Sequence, residues 1–174
     1  MKQIVSIALL ATCLAATSAK AIIVGASVGY LTDAKEAYVA ARVGTQFSAT
    51  STLAQIGEFE IGYTDQSDSL VKARFMPLTA NYRIEFTGNG KFVPYFGVGA
   101  GAANTRVKVS SYGISESDWS FAAQGFAGVS YKMTDKLSIN AGARYIWIDD
   151  VNFLGTKVEI GDDVSLELGL HMRF

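Results

Sequence analysis

His171 is the sole histidine of the 174-residue chain, and Ser165 and Glu167 precede it at the same parity. A serine, an imidazole and a carboxylate could form an acyl-transfer site if each reached the next by a hydrogen bond. In an extended segment rising ~3.3 Å per residue, His171 and Ser165 lie about 20 Å apart, which is too far. The Gly97-Val98-Gly99-Ala100-Gly101-Ala102 stretch has the G-x-G-x-x-A spacing of a dinucleotide-binding turn. That turn needs a following helix whose N-terminus receives the pyrophosphate, and Asn104 to Val109 has no helical period. Glycines at period two read instead as small residues that leave room for large neighbours on one face of a strand. Asp149, Asp150, Glu159, Asp162 and Asp163 gather negative charge without a calcium-loop spacing. One histidine and one cysteine supply no zinc set. No catalytic residue, metal or cofactor is expected.

The elements that carry these residues are strands. In Val164–Phe174, Leu166, Leu168, Leu170, Met172 and Phe174 share one face. Ser165, Glu167, Gly169, His171 and Arg173 share the other, because strand side chains alternate. Eight such segments can be read: 22–31, 36–47, 52–63, 70–86, 92–106, 118–132, 137–148 and 164–174. Short turns (48–51, 87–91, 133–136) alternate with more polar connections (32–35, 64–69, 107–117, 149–163). With both termini on one side, all the short turns fall on that side, the layout of a transmembrane barrel. The expected fold is all-β, an eight-stranded antiparallel up-and-down transmembrane β-barrel.

Alternation alone does not say which face meets water, since a soluble barrel has the same period. The aromatic residues decide. Tyr30, Tyr63, Trp119, Tyr145 and Trp147 sit on the apolar parity at the loop-side strand ends. Phe47, Phe86, Phe92, Tyr131 and Phe174 sit on it at the turn-side ends. Two aromatic rings flanking an aliphatic band match the two interfaces of a membrane. The opposite parity then lines the lumen and carries Arg42, Glu58, Glu60, Lys72, Arg74, Arg83, Glu85, Arg144 and Glu167. Eight strands leave an interior that side chains fill, so these charges must pair. Across the third hairpin, Glu60 with Lys72 and Glu58 with Arg74 are the expected partners. Pro77 predicts a bulge that lets both Phe75 and Leu78 face outward.

The first residues read as an export signal. Lys2 precedes a largely apolar run of 13 residues, Ile4 to Ala16, too short to span a bilayer as a helix. Ala19-Lys20-Ala21 is a small-x-small cleavage site, so 1–21 is assigned to a cleaved signal and 22–174 to the barrel. Cys13 leaves with the signal, and the mature chain is expected to have no disulfide. Leu10-Ala11-Thr12-Cys13 is a poor lipobox, because Thr12 is unsuited and the apolar run continues past the cysteine. The formal net charge of −1 gives no reason to expect nucleic-acid binding.

The segments Met76-Pro77-Leu78-Thr79-Ala80-Asn81-Tyr82, Val93-Pro94-Tyr95-Phe96-Gly97-Val98-Gly99-Ala100-Gly101, Gly125-Phe126-Ala127-Gly128-Val129-Ser130-Tyr131 and Leu137-Ser138-Ile139-Asn140-Ala141-Gly142-Ala143-Arg144-Tyr145 resemble the outer-membrane protein β-barrel domain family, the opacity-type and porin-like small barrels. The resemblance implies an eight-stranded barrel in a Gram-negative outer membrane, surrounded by its lipid. It also implies that Leu166, Leu168, Leu170, Met172 and Phe174 form a C-terminal signal read by the barrel-assembly machinery. No catalytic residues carry over. Three roles remain open: a structural or surface barrel with a closed, charge-filled lumen; a porin-like channel or transporter for small or hydrophobic solutes; and an adhesin or antigen meeting a host or surface ligand through 107–117 and 149–163. The modest loops weigh against the last.

Overall fold

The computed structural model describes residues 21–67, 71–88, 90–109, 114–153, 156–158 and 161–174. The expected signal segment up to Lys20 lies outside them. Ten strands are described: β1 Ala21–Leu31, β2 Ala37–Ala49, β3 Leu53–Ser67, β4 Val71–Phe86, β5 Phe92–Val109, β6 Ile114–Lys132, β7 Leu137–Ile148, β8 Val151–Phe153, β9 Thr156–Val158 and β10 Gly161–Arg173. Eight of them close into an antiparallel barrel in the order β1-β10-β7-β6-β5-β4-β3-β2, while β8 and β9 form a separate small hairpin. The fold is the expected closed eight-stranded up-and-down barrel.

Period two in the sequence becomes two faces of opposite polarity. On β1, Ile23, Ser27 and Leu31 are buried inside, whereas Val24, Val28 and Tyr30 are exposed outside. On β10, Ser165 and His171 are buried while Leu168 is 60% exposed. Arg42, Glu58, Glu60, Arg83, Glu85 and Arg144 are all buried in the interior. A barrel folding in water would place these groups the other way round, because buried charge is costly and exposed leucine gains nothing. The ring aromatics Tyr30, Tyr63, Trp119, Tyr145, Trp147, Phe47, Phe86, Phe92, Tyr131 and Phe174 are all among the exposed large hydrophobics.

Closure falls where the two ends of the chain meet. β1 and β10 pair with Val24 opposite Met172 and Val28 opposite Leu168. Ile22 and Phe174 exchange backbone bonds, Ile22 N–H to the Phe174 carbonyl at 3.1 Å and Phe174 N–H to the Ile22 carbonyl at 2.8 Å. With that pair made, the sheet has no free edge.

Three expectations are corrected. The bulge lies in β2, between Gln46 and Ser48, and not at Pro77. β4 keeps a single register with β3 on both sides of the proline, and Pro77 pairs with Ala103 of β5 without a shift. The missing proline N–H interrupts bonding locally, but the residues around it preserve the alternation. Phe75 accordingly turns inward, against a buried cluster that includes Leu31, Tyr38, Ala103 and Ile146. Several strands also run further than the polarity of their ends suggested. β3 reaches Ser67, and Val109 of β5 still pairs with Ile114 of β6. Most of the expected 107–117 loop is therefore ladder, with only 110–113 outside the described residues. The expected 149–163 loop contains the β8–β9 hairpin and the start of β10.

Candidate functional site

The lumen holds the largest concentration of chemistry in the barrel. Arg144, on β7, is the hub. Its Nε donates to Glu167 Oε1 at 2.6 Å and its Nη2 to Glu167 Oε2 at 3.2 Å. Its other edge meets Glu60, with Nη1 bonded to Oε1 and Nη2 to Oε2 at 3.1 Å. One guanidinium thus holds a carboxylate from the neighbouring strand β10 and another from β3 across the barrel, each in the two-bond geometry that makes arginine–carboxylate pairing strong. Arg42 adds a second cation, 3.2 Å from Glu60 and 3.6 Å from Glu167, and donates to Ser27 Oγ at 2.7 Å. Gln124 completes the layer. Its carbonyl accepts from Arg144 at 2.7 Å, and its amide donates to Asn81 at 2.7 Å and to Thr79 at 2.8 Å.

A second layer lies nearer the turn-side end. Glu85 bridges Arg83 and Arg173, each at 2.9 Å. Arg83 also donates to Ser130 Oγ at 3.0 Å, and Ser130 bonds Asn140. The Arg83 guanidinium lies over the Tyr95 ring, 3.9 Å from its centre, where a cation meets the negative face of the π-system. Glu58, only 2% exposed, has neither carboxylate oxygen hydrogen-bonded among the described residues. Four arginines (Arg42, Arg83, Arg144, Arg173) therefore share the interior with four glutamates, of which Glu60, Glu85 and Glu167 are ion-paired.

One residue of the expected lumen set, Arg74, is placed differently, and the two expected cross-strand pairs are not formed. The β3–β4 register sets Glu60 opposite Thr79, Glu58 opposite Asn81, Asp65 opposite Arg74 and Ser67 opposite Lys72. The expected Glu60–Lys72 and Glu58–Arg74 pairs are therefore wrong. The hairpin reverses several residues further along than the polar stretch suggested, so every cross-strand partner shifts. Because β4 keeps its alternation through Pro77, Arg74 lies on the outer face, 47% exposed in its side chain. There it sits 3.6 Å from Asp65 and over the Tyr63 ring at 5.5 Å. Lys72 is placed by its backbone only.

Ser165, Glu167 and His171 do not come together as a hydrolytic site. Glu167 is held by Arg144, Ser165 pairs with Leu31 and Arg144, and His171 pairs with Gly25 and Ser138 further down the strand. Among the described residues, no group of three or more His, Cys, Asp or Glu side chains is placed to hold a metal ion. The Gly97–Ala102 stretch is strand, and Gly97 lies directly beneath the Phe126 ring. Of the clustered acids, Asp163 is engaged: its carboxylate accepts from the backbone N–H of Asp33 at 3.0 Å and of Ala34 at 2.9 Å.

The outer membrane protein beta-barrel domain model matches residues 5–174. The chain belongs to the outer-membrane β-barrel domain family. An uncharacterized protein of Brucella abortus (strain 2308) is 33% identical over 107 residues, covering 53% of this chain and 36% of that protein. The chain thus spans well under half the length of the curated relatives it matches. Among solved structures, Neisserial surface protein A has a TM-score of 0.63 at 18% identity, covering 88% of this chain and 96% of that one. Ail, the attachment invasion locus protein of Yersinia pestis, crystallised with the heparin analogue sucrose octasulfate, has a TM-score of 0.59 at 20% identity, covering 88% and 97%. At these identities the structures establish the shared fold, and with the family they place this barrel in an outer membrane.

Within this family barrel, the interior aromatics escaped the sequence reading. Tyr38, Tyr95 and Phe126 point inward among the charges. Each lies against a glycine: Tyr38 against Gly62, Tyr95 against Gly128 and Gly142, Phe126 against Gly97. Inward glycines on neighbouring strands were the available signal. Arg173, next to the chain end, was also missed as a lumen cation.

Proposed function

We propose that this protein is a non-enzymatic structural or surface barrel whose lumen is closed by its own charge network. The observation that carries the reading is Arg144 spanning the lumen to Glu60 while it holds Glu167 on the neighbouring strand, with Arg42 on the same two carboxylates. A passing solute would have to break several buried charge-assisted bonds at once. Each break would leave charges unpaired at low dielectric. The pairing of cations with anions through both layers favours a plug over a selective pore, whose lining would carry an excess of one sign.

In this reading the turn-side ends of the strands face the periplasm and the loop-side ends face outward. The exposed ring aromatics sit at the two interfaces, and Leu166, Leu168, Leu170, Met172 and Phe174 serve as the recognition strand for the assembly machinery. The test is single-channel recording of the purified barrel in planar bilayers. Baseline current without steady openings is the expected result, and a large, persistent conductance overturns the plug.

A second reading, binding of a host or surface ligand, is favoured by one feature. The β5–β6 hairpin is still paired at Val109 and Ile114, which carries it past the loop-side ends of β1 and β7. Replacing 107–117 and 149–163 separately, then measuring binding to host cells and matrix, tests it; unchanged binding in both removes it.

A further inference from the structure

We propose that the outer wall of β4 and β5 carries a binding site for a phosphate group of the glycolipid that fills the outer leaflet. The strand register lines up Asp65, Arg74, Arg106 and Ser117 as one row across β3 to β6. The row lies on the lipid-facing parity: Arg74, Arg106 and Ser117 are all exposed. Arg74 and Arg106 are direct cross-strand neighbours, and the Cβ atoms of such a pair stand about 5 Å apart. Like charges so placed repel one another. An anion between two guanidiniums relieves that repulsion and is held from both sides.

The protein's own acids leave this charge uncompensated. Asp65 stands 3.6 Å from Arg74, with both side chains more than a third exposed, so that pair is weak. Arg106 makes no ion pair among the described residues. Asp118 is the ladder partner of Thr105, which is buried inside, so it belongs to the inward parity. Two residues further along, Lys72 and Lys108 are again ladder partners, which brings a second like-charge pair to the same end of the two strands. The far wall has the opposite sign, for there β10 presents the exposed Asp162 opposite Trp147.

Depth in the membrane identifies the occupant. Arg74 lies over the Tyr63 ring, 5.5 Å from its centre, and Tyr63 belongs with Trp119 to the loop-side aromatic ring. Such rings mark the headgroup level, so the two guanidiniums stand among headgroups while acyl chains lie along the aliphatic band beneath. The site rests on the outward orientation of the loop side proposed above. In that orientation the surrounding leaflet is built of lipid A, a disaccharide that carries phosphates. Phosphate matches the arginine fork, and Ser117, next in the row, adds a hydroxyl donor.

The test uses the full mature barrel in detergent micelles, with diphosphoryl lipid A as the probe and its dephosphorylated form as the control. Native mass spectrometry reads the lipid-bound fraction. The parent is expected to retain the phosphorylated lipid in preference. Arg74→Gln and Arg106→Gln are each expected to lower its affinity about tenfold, the low end for a hydrogen bond to a charged group, and to leave the control lipid unchanged. Lys91, which lies 6.0 Å from the centre of the Tyr131 ring at the turn side, is a cation on a ring without a second cation opposite, and Lys91→Gln is expected to change neither lipid. In phosphatidylcholine vesicles Arg106→Gln is expected to raise the urea midpoint by removing the repulsion, and with lipid A present to lower it. Equal retention of the two lipids by the parent overturns the proposal. So do arginine variants, folded by heat-modifiable migration, that bind diphosphoryl lipid A as the parent does, or a Lys91→Gln protein that loses as much as they do. A heparin oligosaccharide that displaces the lipid at equal concentration overturns the lipid as occupant. Micelles have no leaflets, so loss of binding there condemns the site alone and leaves the orientation of the barrel to surface labelling of the loop side in cells.

Discussion

Arg144 is the residue on which the lumen turns. Arg144→Met leaves Glu60 and Glu167 sharing only Arg42, and truncating one partner of a buried charge pair costs about 3–5 kcal/mol. Urea unfolding of the barrel in phosphocholine vesicles, followed by heat-modifiable gel migration, is expected to show a loss of that order. Replacing Arg42, Glu60, Arg144 and Glu167 together with apolar residues of similar volume is expected to recover most of it, because no charge is then stranded. Recovery in the fourfold variant separates charge pairing from packing. The charged residues themselves were legible in the sequence, since their parity is opposite to that of the leucines. Their partners were not. Glu60 and Arg144 are 84 positions apart, and which walls face one another depends on the stagger of the closed barrel, which no local pattern records.

At the scale of elements, the turn between β1 and β2 is fastened from the far end of the chain. Leu31 N–H bonds the Glu36 carbonyl at 2.9 Å, Lys35 is left-handed at φ 57°, and Asp163 binds the turn from β10. Asp163→Ala removes the acceptor for two backbone amides and a hydroxyl. It is expected to loosen the turn by about 1–2 kcal/mol, read as faster tryptic cleavage after Lys35 with little change in global unfolding. An Asp163→Asn variant, which keeps one acceptor oxygen, should lie between the two. The strands were legible because their alternation is strong. The hairpin registers were less so, because polar residues such as Asp65 and Arg74 continue the ladder beyond the apolar band. Reading the β3 end at Tyr63 instead of Ser67 displaced every β3–β4 pair. The glycine-rich run of β5 shows the converse: its spacing was read as room for neighbours, and Gly97 beneath Phe126 is such a place.

At the scale of the whole molecule, the exposed outer band and the buried charges specify an environment as much as a shape. The C-terminal strand closes the sheet, and directing assembly is its proposed second task. Deleting Phe174 removes only the last rung, yet it is expected to lower the amount of folded barrel in cells several-fold while barrels already formed unfold near the parental urea midpoint. Equal levels in cells would remove the sorting role. Ala21 is already strand, paired with Gln46, with its carbonyl accepting from the Thr45 hydroxyl at 3.3 Å. Cleavage after Ala21, as the small-x-small site reads, would remove that rung, whereas cleavage after Ala19 preserves it, so mass spectrometry of the mature protein is expected to find Lys20 at its start.

The rung between Ile22 and Phe174 has a further meaning. Where first and last strands are hydrogen-bonded neighbours, the chain is nearly a ring, and its point of opening is a choice. A short linker from Phe174 back to Ala21, with the chain reopened between Thr134 and Lys136, would present Leu137 first and Tyr131-Lys132-Met133 last. Such a rearranged barrel keeps every ladder and every lumen pair, so it should refold from urea into vesicles. In cells it would offer a different strand for recognition.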